Sequence, residues 1–135
     1  MRYLLDTNVC VVYLNGRSNT VRDRLISTPI EDMAVCSVVK AELFYGAMRS
    51  NNPTKTLERQ QDFLERFVSL SFGDESALLF GQIRASLASA GTPIGAYDLQ
   101  IAAIALANNL ILVTHNTREF KRVDGLQLED WEIVV

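Results

Sequence analysis

The chain has 135 residues, 48% hydrophobic and 21% charged, with 16 acidic against 13 basic side chains. Folding at this length buries roughly two-thirds of the unfolded surface, enough for one core, so residues 1–135 are expected to form a single domain. The composition excludes wholesale disorder and low-complexity chains, and the mild acidity argues against a nucleic-acid binder working by bulk positive charge.

Tyr3-Leu4-Leu5 is short, apolar and ends abruptly at Asp6-Thr7-Asn8, the pattern of a buried parallel strand turning into a helix that carries Val9, Val12 and Tyr13. Asn15-Gly16 stops that helix, and Asn19 or Thr20 is the expected cap of a second one running through Leu25. Met33–Cys36 reads as the next strand, with Ser37 as cap of a helix from Val38 to Met48 that contains Glu42. Pro53 and Thr54 open a long charged helix to about Phe67, followed by a weaker strand, Val68-Ser69-Leu70. Asp74 is the expected cap of a helix whose Phe80, Ile83, Leu87 and Ala90 share one face, and Gly91 stands where a left-handed C′ glycine belongs.

Gly91–Gly95 then leads to Asp98 and to a helix, Leu99–Ala107, that is apolar almost all round and so belongs in the middle of the fold. Asn108-Asn109 ends it, Leu110–Val113 is the clearest strand, and Asp124-Gly125 turns toward a final strand expected at Ile133-Val134-Val135. Strands alternating with helices imply an α/β fold with a mainly parallel sheet. No apolar run reaches the ~18 residues of a membrane span, since Leu99–Leu106 is interrupted by Gln100. An acid at position 6 sits where a signal peptide needs an apolar stretch. With Cys10 and Cys36 at no metal-ligand spacing, a cytoplasmic protein with reduced thiols is expected.

The acids carry the chemistry. In open α/β sheets ligands bind beyond the carboxyl ends of the strands, where Asp6, Thr114 and Asn116 fall. A carboxylate closing a buried strand loses hydration unless something positive compensates it. Asp98 reads equally as a helix cap, and Glu42, taken alone, as a solvated helical residue. Three acids brought together by separate elements need a cation, and an all-oxygen donor set selects Mg²⁺, with Mn²⁺ as a substitute. The single His115 has no His or Cys partner at ligand spacing, which disfavours zinc. No glycine-rich phosphate loop and no nucleophilic serine elbow is present.

Several stretches in order resemble the PIN-domain ribonucleases, and more closely the VapC toxins of bacterial toxin–antitoxin pairs. These are Leu4-Leu5-Asp6-Thr7-Asn8, Ala41-Glu42-Leu43 with Tyr45-Gly46, Gly91–Asp98, Leu112–Phe120, Gly125-Leu126 and Glu129-Asp130-Trp131. The resemblance implies a Rossmann-like PIN fold with strand order 3-2-1-4-5 and a Mg²⁺-dependent endoribonuclease site. Asp6 and Asp98 would hold the ion, and Glu42 would ligate it or orient its water. Many PIN domains carry an acid where this chain has Asn116; here Glu119, one turn on, would complete the acidic set.

Thr7, Asn8, Thr114 and Asn116 are expected to fix the acids by hydrogen bonds, and Arg118, Lys121 and Arg122 to contact RNA phosphates. The resemblance further implies a homodimer, a cognate VapB-like antitoxin covering the acidic groove in a heterotetramer or larger complex, and DNA contact only through that antitoxin. Its implied substrate is tRNA, with the initiator tRNA anticodon loop favoured. Two other readings compete. A haloacid-dehalogenase-like phosphatase needs a second Asp where Asn8 stands, and a PIN-like module that only binds protein has no use for clustered acids. Removing the four site acids from the 16 leaves 12 against 13 bases, so the low net charge reflects the site and does not exclude RNA.

Overall fold

Five short strands assemble into one sheet. The computed structural model describes residues 1–133. The strands are β1 (Tyr3–Leu5), β2 (Met33–Cys36), β3 (Val68–Leu70), β4 (Ile111–Val113) and β5 (Leu128–Glu129). They lie in the order β3-β2-β1-β4-β5, every pair parallel. Leu4 and Leu5 pair with Leu112 and Val113, and all four are fully buried, as the centre of a two-sided sheet requires. The chain leaves β1 toward β2 on one side and returns to β4 on the other. The crevice beyond the β1 and β4 carboxyl ends is therefore the topological switch point of the sheet.

The helices are α1 (Thr7–Leu14), α2 (Asn19–Ser27), α3 (Ser37–Met48), α4 (Pro53–Leu64), α5 (Asp74–Ser89), α6 (Ala96–Ala107) and the single-turn α7 (Thr117–Phe120). None is long and apolar enough to cross a membrane. α6 is the most deeply placed, with Ile101 through Ala105 all buried and its flank packed along α5. Its apolar circumference needs apolar neighbours all round.

Several helix starts differ from expectation by one or more positions. Ser18, not Asn19 or Thr20, caps α2, its hydroxyl accepting from Val21 N at 3.2 Å. Cys36 and Gly73 hold the cap positions before α3 and α5, so Ser37 and Asp74 are already helical. Asn52 caps α4 by accepting from Lys55 N at 3.2 Å, with Pro53 in the first turn, and that helix ends at Leu64, short of Phe67. Gly91 takes the left-handed conformation, φ +72°, that the C′ position of α5 requires.

The C-terminal expectation is corrected. The fifth strand is Leu128–Glu129, Ile133 lies in a bend, and Val134 and Val135 fall outside the described residues. What holds this end is Trp131, 1% exposed, edge-on to Tyr3 at 5.2 Å between ring centroids and under the Arg24 guanidinium at 4.8 Å. Its indole N–H donates to Glu129 Oε1 at 3.0 Å, an oxygen also paired with Arg24 at 3.0 Å. The indole satisfies its own donor while burying its rings, the condition for a tryptophan in a core. Trp131→Ala is expected to lower unfolding stability by about 3–5 kcal/mol, read as a fall in the urea midpoint at unchanged slope.

Candidate active site

Asp6 is the residue at which β1 stops and α1 starts. As cap of α1 its Oδ1 accepts from Thr7 N at 2.8 Å, and its Oδ2 accepts from the Thr114 hydroxyl at 2.7 Å. Its own N–H donates to Val113 O at 3.0 Å, so the end of β4 grips Asp6 by backbone and by side chain. Thr114, fully buried, also accepts from Asn116 N at 3.0 Å. Asp6 is only 3% exposed. Burial pushes its carboxyl above the ordinary range, and the charge of Glu42 adds to that, while the bonds from Thr114 and Thr7 pull it back.

Glu42 reaches the same crevice from the second turn of α3. The Thr7 hydroxyl donates to Glu42 Oε1 at 2.6 Å, so consecutive positions, Asp6 and Thr7, fix one acid and orient another. Asp98 is the third residue of α6. Gly95 occupies the cap position and no side chain caps that helix, which removes the reading of Asp98 as a cap. Its carboxyl is raised to about 6, first by burial and then by the charges of Asp6, Glu42 and Glu119. Each of the other three acids is thus close enough to oppose ionisation of Asp98. Among the described residues, no lysine, arginine or histidine nitrogen lies within 4.0 Å of any of the four.

The remaining predicted residues divide. Thr7 and Thr114 hold acids directly. Asn116 contributes its backbone N–H to Thr114 and stands before α7, its side chain making no hydrogen bond. Asn8 is exposed on α1 and its side chain bonds to no acid, because its neighbour Thr7 takes the inward position. Arg118, Lys121 and Arg122 are all exposed around α7, and Arg122 Nη1 donates to Pro93 O at 3.2 Å, tying α7 to the loop that precedes α6.

Two features escaped the sequence reading. His115 does have ligand-type neighbours: its Nδ1 lies 2.9 Å from Asp130 Oδ2 and 3.5 Å from Glu132 Oε2. A search confined to His and Cys spacings passes over acids that arrive from the segment after the last strand. The second is a groove of about 380 Å³ running from Thr7 and Glu42 to Arg59 and Gln60 on α4. Nothing in the run of charged and amide side chains on α4 distinguishes these two in advance. Cys10 and Cys36 are buried beside Asp6, and burial raises both thiols, Cys36 to about 11. They are therefore inert as nucleophiles.

The acids fit a hard divalent cation: an all-oxygen set, one member nearly buried, with no fixed base to balance it. They are set wider than a tight three-ligand cage. Among the described residues, the only His, Cys, Asp and Glu trio with donor atoms all within 4.8 Å of one another is His115, Asp130 and Glu132. The wide set suits Mg²⁺, which keeps several of its waters and takes one or two carboxylates directly. The His115 trio offers an imidazole, a donor that Mg²⁺ does not favour, and its close contact is accounted for as a hydrogen bond between His115 Nδ1 and Asp130 Oδ2.

Two outcomes follow for the ion-free protein. Asp98 binds its proton more tightly in the folded than in the unfolded chain, so its contribution to stability is present in acid and lost as pH rises through about 6. The melting temperature without divalent ions is expected to fall by a few degrees between pH 5 and pH 7.5. Asp98→Asn should flatten that slope. Thr114→Val leaves the buried Asp6 oxygen without its donor and should cost about 1–3 kcal/mol in chemical denaturation.

Comparison with known proteins places this geometry in a family. The PIN domain model matches residues 3–126. The chain is 40% identical to the tRNA(fMet)-specific endonuclease VapC of Shigella flexneri and 37% identical to that of Salmonella typhimurium, in each case over 97% of this chain and 98% of the relative. Its structure is similar to a chain in a crystal structure of DNA-bound VapBC from Salmonella typhimurium, with a TM-score of 0.92 and 37% identity over 97% and 98% of the two chains. VapBC2 from Rickettsia felis, bound to a promoter DNA fragment, gives 0.87 at 35% identity over 97% and 99%. A sheet in the order 3-2-1-4-5, acids meeting at its switch point and near-complete coverage of such relatives agree: the chain belongs to the PIN-domain family, among the VapC-type ribonucleases.

Proposed function

We propose that this chain is the toxin of a VapBC-type toxin–antitoxin pair, a Mg²⁺-dependent endoribonuclease that cleaves tRNA, with the initiator tRNA anticodon loop as its target. The observation that carries the chemistry is the gathering of Asp6, Glu42, Asp98 and Glu119 at the switch point, where burial first and then the charges of the other three raise Asp98 to about 6, with no fixed cation in reach. The substrate reading is supported by the relatives named tRNA(fMet)-specific endonuclease, and the antitoxin reading by the similar VapBC complexes.

Asp6 and Asp98 would hold the ion. When bound, Mg²⁺ supplies Lewis acidity that lowers the pKa of a water and neutralises phosphate charge in the transition state; Mn²⁺ offers the same chemistry. Asp6 is presented by Thr114 and the Thr7 N–H with both oxygens already oriented, so little reorganisation is left for the reaction. Glu42, steered by the Thr7 hydroxyl, or Glu119 from α7 accepts the proton of the attacking water and holds it in line. Arg118, Lys121 and Arg122 lie exposed beside the acids and would bear on RNA phosphates. The working form is a homodimer that a VapB-like antitoxin silences in a heterotetramer or larger assembly, with DNA engaged through the antitoxin. Its place is the cytoplasm, a setting in accord with two unpaired thiols.

A phosphatase of the haloacid-dehalogenase type is not supported by the PIN match. A module that only binds protein is not supported either, because four uncompensated acids cost stability with no return. Purified antitoxin-free protein incubated with total tRNA is expected to cut in Mg²⁺ and not in EDTA. Asp98→Asn and Asp6→Asn should each lower cleavage by at least about 100-fold. Mg²⁺ should raise the melting temperature of the parent chain but not of Asp98→Asn. Cutting that survives EDTA and both substitutions would sink the reading.

A further inference from the structure

We propose that His115, Asp130 and Glu132 form a second cation site, sharing no residue with the four acids of the crevice, that takes a borderline transition-metal dication of the Zn²⁺ class and not Mg²⁺. The site joins the loop after β4 to the segment after β5. The charges that bear on Asp98 are those of Asp6, Glu42 and Glu119, with none from Asp130 or Glu132, so the two clusters are distinct. The second site stands whether or not the crevice cleaves RNA.

His115 Nδ1 lies 2.9 Å from Asp130 Oδ2 and 3.5 Å from Glu132 Oε2, and one donor atom from each residue falls within 4.8 Å of the other two. Zinc bonds to imidazole nitrogen at ~2.0–2.1 Å and to carboxylate oxygen at ~2.0–2.2 Å, so neighbouring ligand atoms on a tetrahedral ion stand about 3.4 Å apart. The two separations from Nδ1 bracket that edge. A small adjustment of three side chains therefore admits the ion. A fourth position is left to water, because the His115 side chain is 61% exposed. Zinc needs no second His or Cys for this, since Asp and Glu oxygens serve it beside an imidazole. Mg²⁺ is the poor fit, because it prefers oxygen throughout and gives up its waters reluctantly.

The charge balance of the trio points independently to an ion. Asp130 and Glu132 both turn toward one imidazole, and among the described residues no lysine or arginine nitrogen lies within 4.0 Å of either. The Asp130 side chain is only 8% exposed, where an unbalanced carboxylate is costly. The imidazole supplies at most one positive charge against two acids. Its hydrogen bond to Asp130 leaves the Glu132 carboxylate facing Nδ1 with no hydrogen bond of its own among the described residues. Binding would also require little ordering. Glu132 N donates to Asp130 Oδ1 at 3.0 Å, which leaves Oδ2 directed at the imidazole. Trp131, between the two acids, is buried, and Glu132 O accepts from Thr20 at 3.1 Å. His115 follows Thr114, whose N–H donates to Glu129 O at 2.9 Å. All three ligands thus stand on backbone that is already fixed, which favours binding by lowering its entropic cost.

His115 is the only histidine of the chain, so its imidazole C–H resonances report this site alone. The test is a Zn²⁺ titration of the full-length, tag-free chain in excess Mg²⁺ at constant pH, followed by ¹H–¹³C NMR. Zn²⁺ is expected to shift the imidazole resonances along a single saturable curve, while Mg²⁺ alone leaves them in place. Glu132→Gln, at a partly exposed side chain, should weaken Zn²⁺ by at least about tenfold, since loss of even an outer partner of a metal ligand costs ~10–100-fold. His115→Gln keeps a side chain able to hydrogen-bond Asp130 but removes the imidazole. It should bind one Zn²⁺ per chain fewer than the parent in equilibrium dialysis. Resonances unmoved by several equivalents of Zn²⁺, a shift that Mg²⁺ reproduces, undiminished affinity in Glu132→Gln, or an unchanged Zn²⁺ count in His115→Gln each overturns the proposal. The trio is then a hydrogen-bonded pair with an acid beside it. Cleavage of tRNA in Mg²⁺ is read separately and stands or falls on the four acids of the crevice.

Discussion

Everything at the crevice hangs on one buried carboxylate. Asp6 closes the central strand of the sheet, and without help its charge at 3% exposure would be untenable. The fold answers with three ties: a backbone bond to Val113, a hydroxyl bond from Thr114, and the first free N–H of α1 from Thr7. Two of these come from the residues that end β4, so the pairing of β1 with β4 is at once the core of the sheet and the mount of the acid. The hydrogen bonds do not cancel the penalty, since Asp6 stays above the ordinary carboxylate range. The difference is left for a diffusible cation to offset.

The same imbalance recasts the overall charge. A net charge of −3 reads at first as a reason to doubt an RNA partner. Four of the acids oppose one another in a single crevice, and Asp98 registers the other three directly. A divalent ion held there would offset part of that charge and offer phosphate oxygens a cation to meet. Arg118, Lys121 and Arg122 lie exposed on and just after α7, and Arg59 lies exposed on the groove lined by Thr7 and Glu42. On the proposed function, attraction for RNA would be local and dependent on a bound ion, which bulk composition cannot express.

How far the sequence revealed this depended on the kind of signal. Asp6 was legible because a run of three apolar residues stopped dead at an acid, and sheet topology then says where such an end points. Asp98 was half-legible: an acid in the first turn of an apolar helix looks the same whether it caps or faces a site, and only Gly95 in the cap position separates the two. Glu42 needed its contact with Thr7, which lies 35 positions away. The fifth strand misled because Ile133-Val134-Val135 is rich in β-branched residues, while Leu128–Glu129 is a two-residue edge whose pairing with β4 owes more to Trp131 than to propensity. Gln60 and its neighbour Gln61 are indistinguishable by type. Only the packing of α4 against α3 buries one and leaves the other in solvent.

The C-terminal segment then acquires a part in the site that its distance in sequence conceals. Trp131 is locked between Tyr3 of the central strand and Arg24 of α2, and that lock fixes the residues on either side of it. Asp130, before it, takes His115 Nδ1 at 2.9 Å; Glu132, after it, offers a second oxygen at 3.5 Å and its carbonyl accepts from Thr20 at 3.1 Å. His115 is the residue between Thr114, which holds Asp6, and Asn116, whose N–H holds Thr114. Glu129 O also accepts from Thr114 N at 2.9 Å. The loop that presents Thr114 is thus clamped from the outside by the last strand and from the inside by the acid. A tryptophan far from the crevice sets the position of a hydroxyl within it, because rigid mounts, and not the reacting groups alone, decide whether a carboxylate is held where its ion must sit.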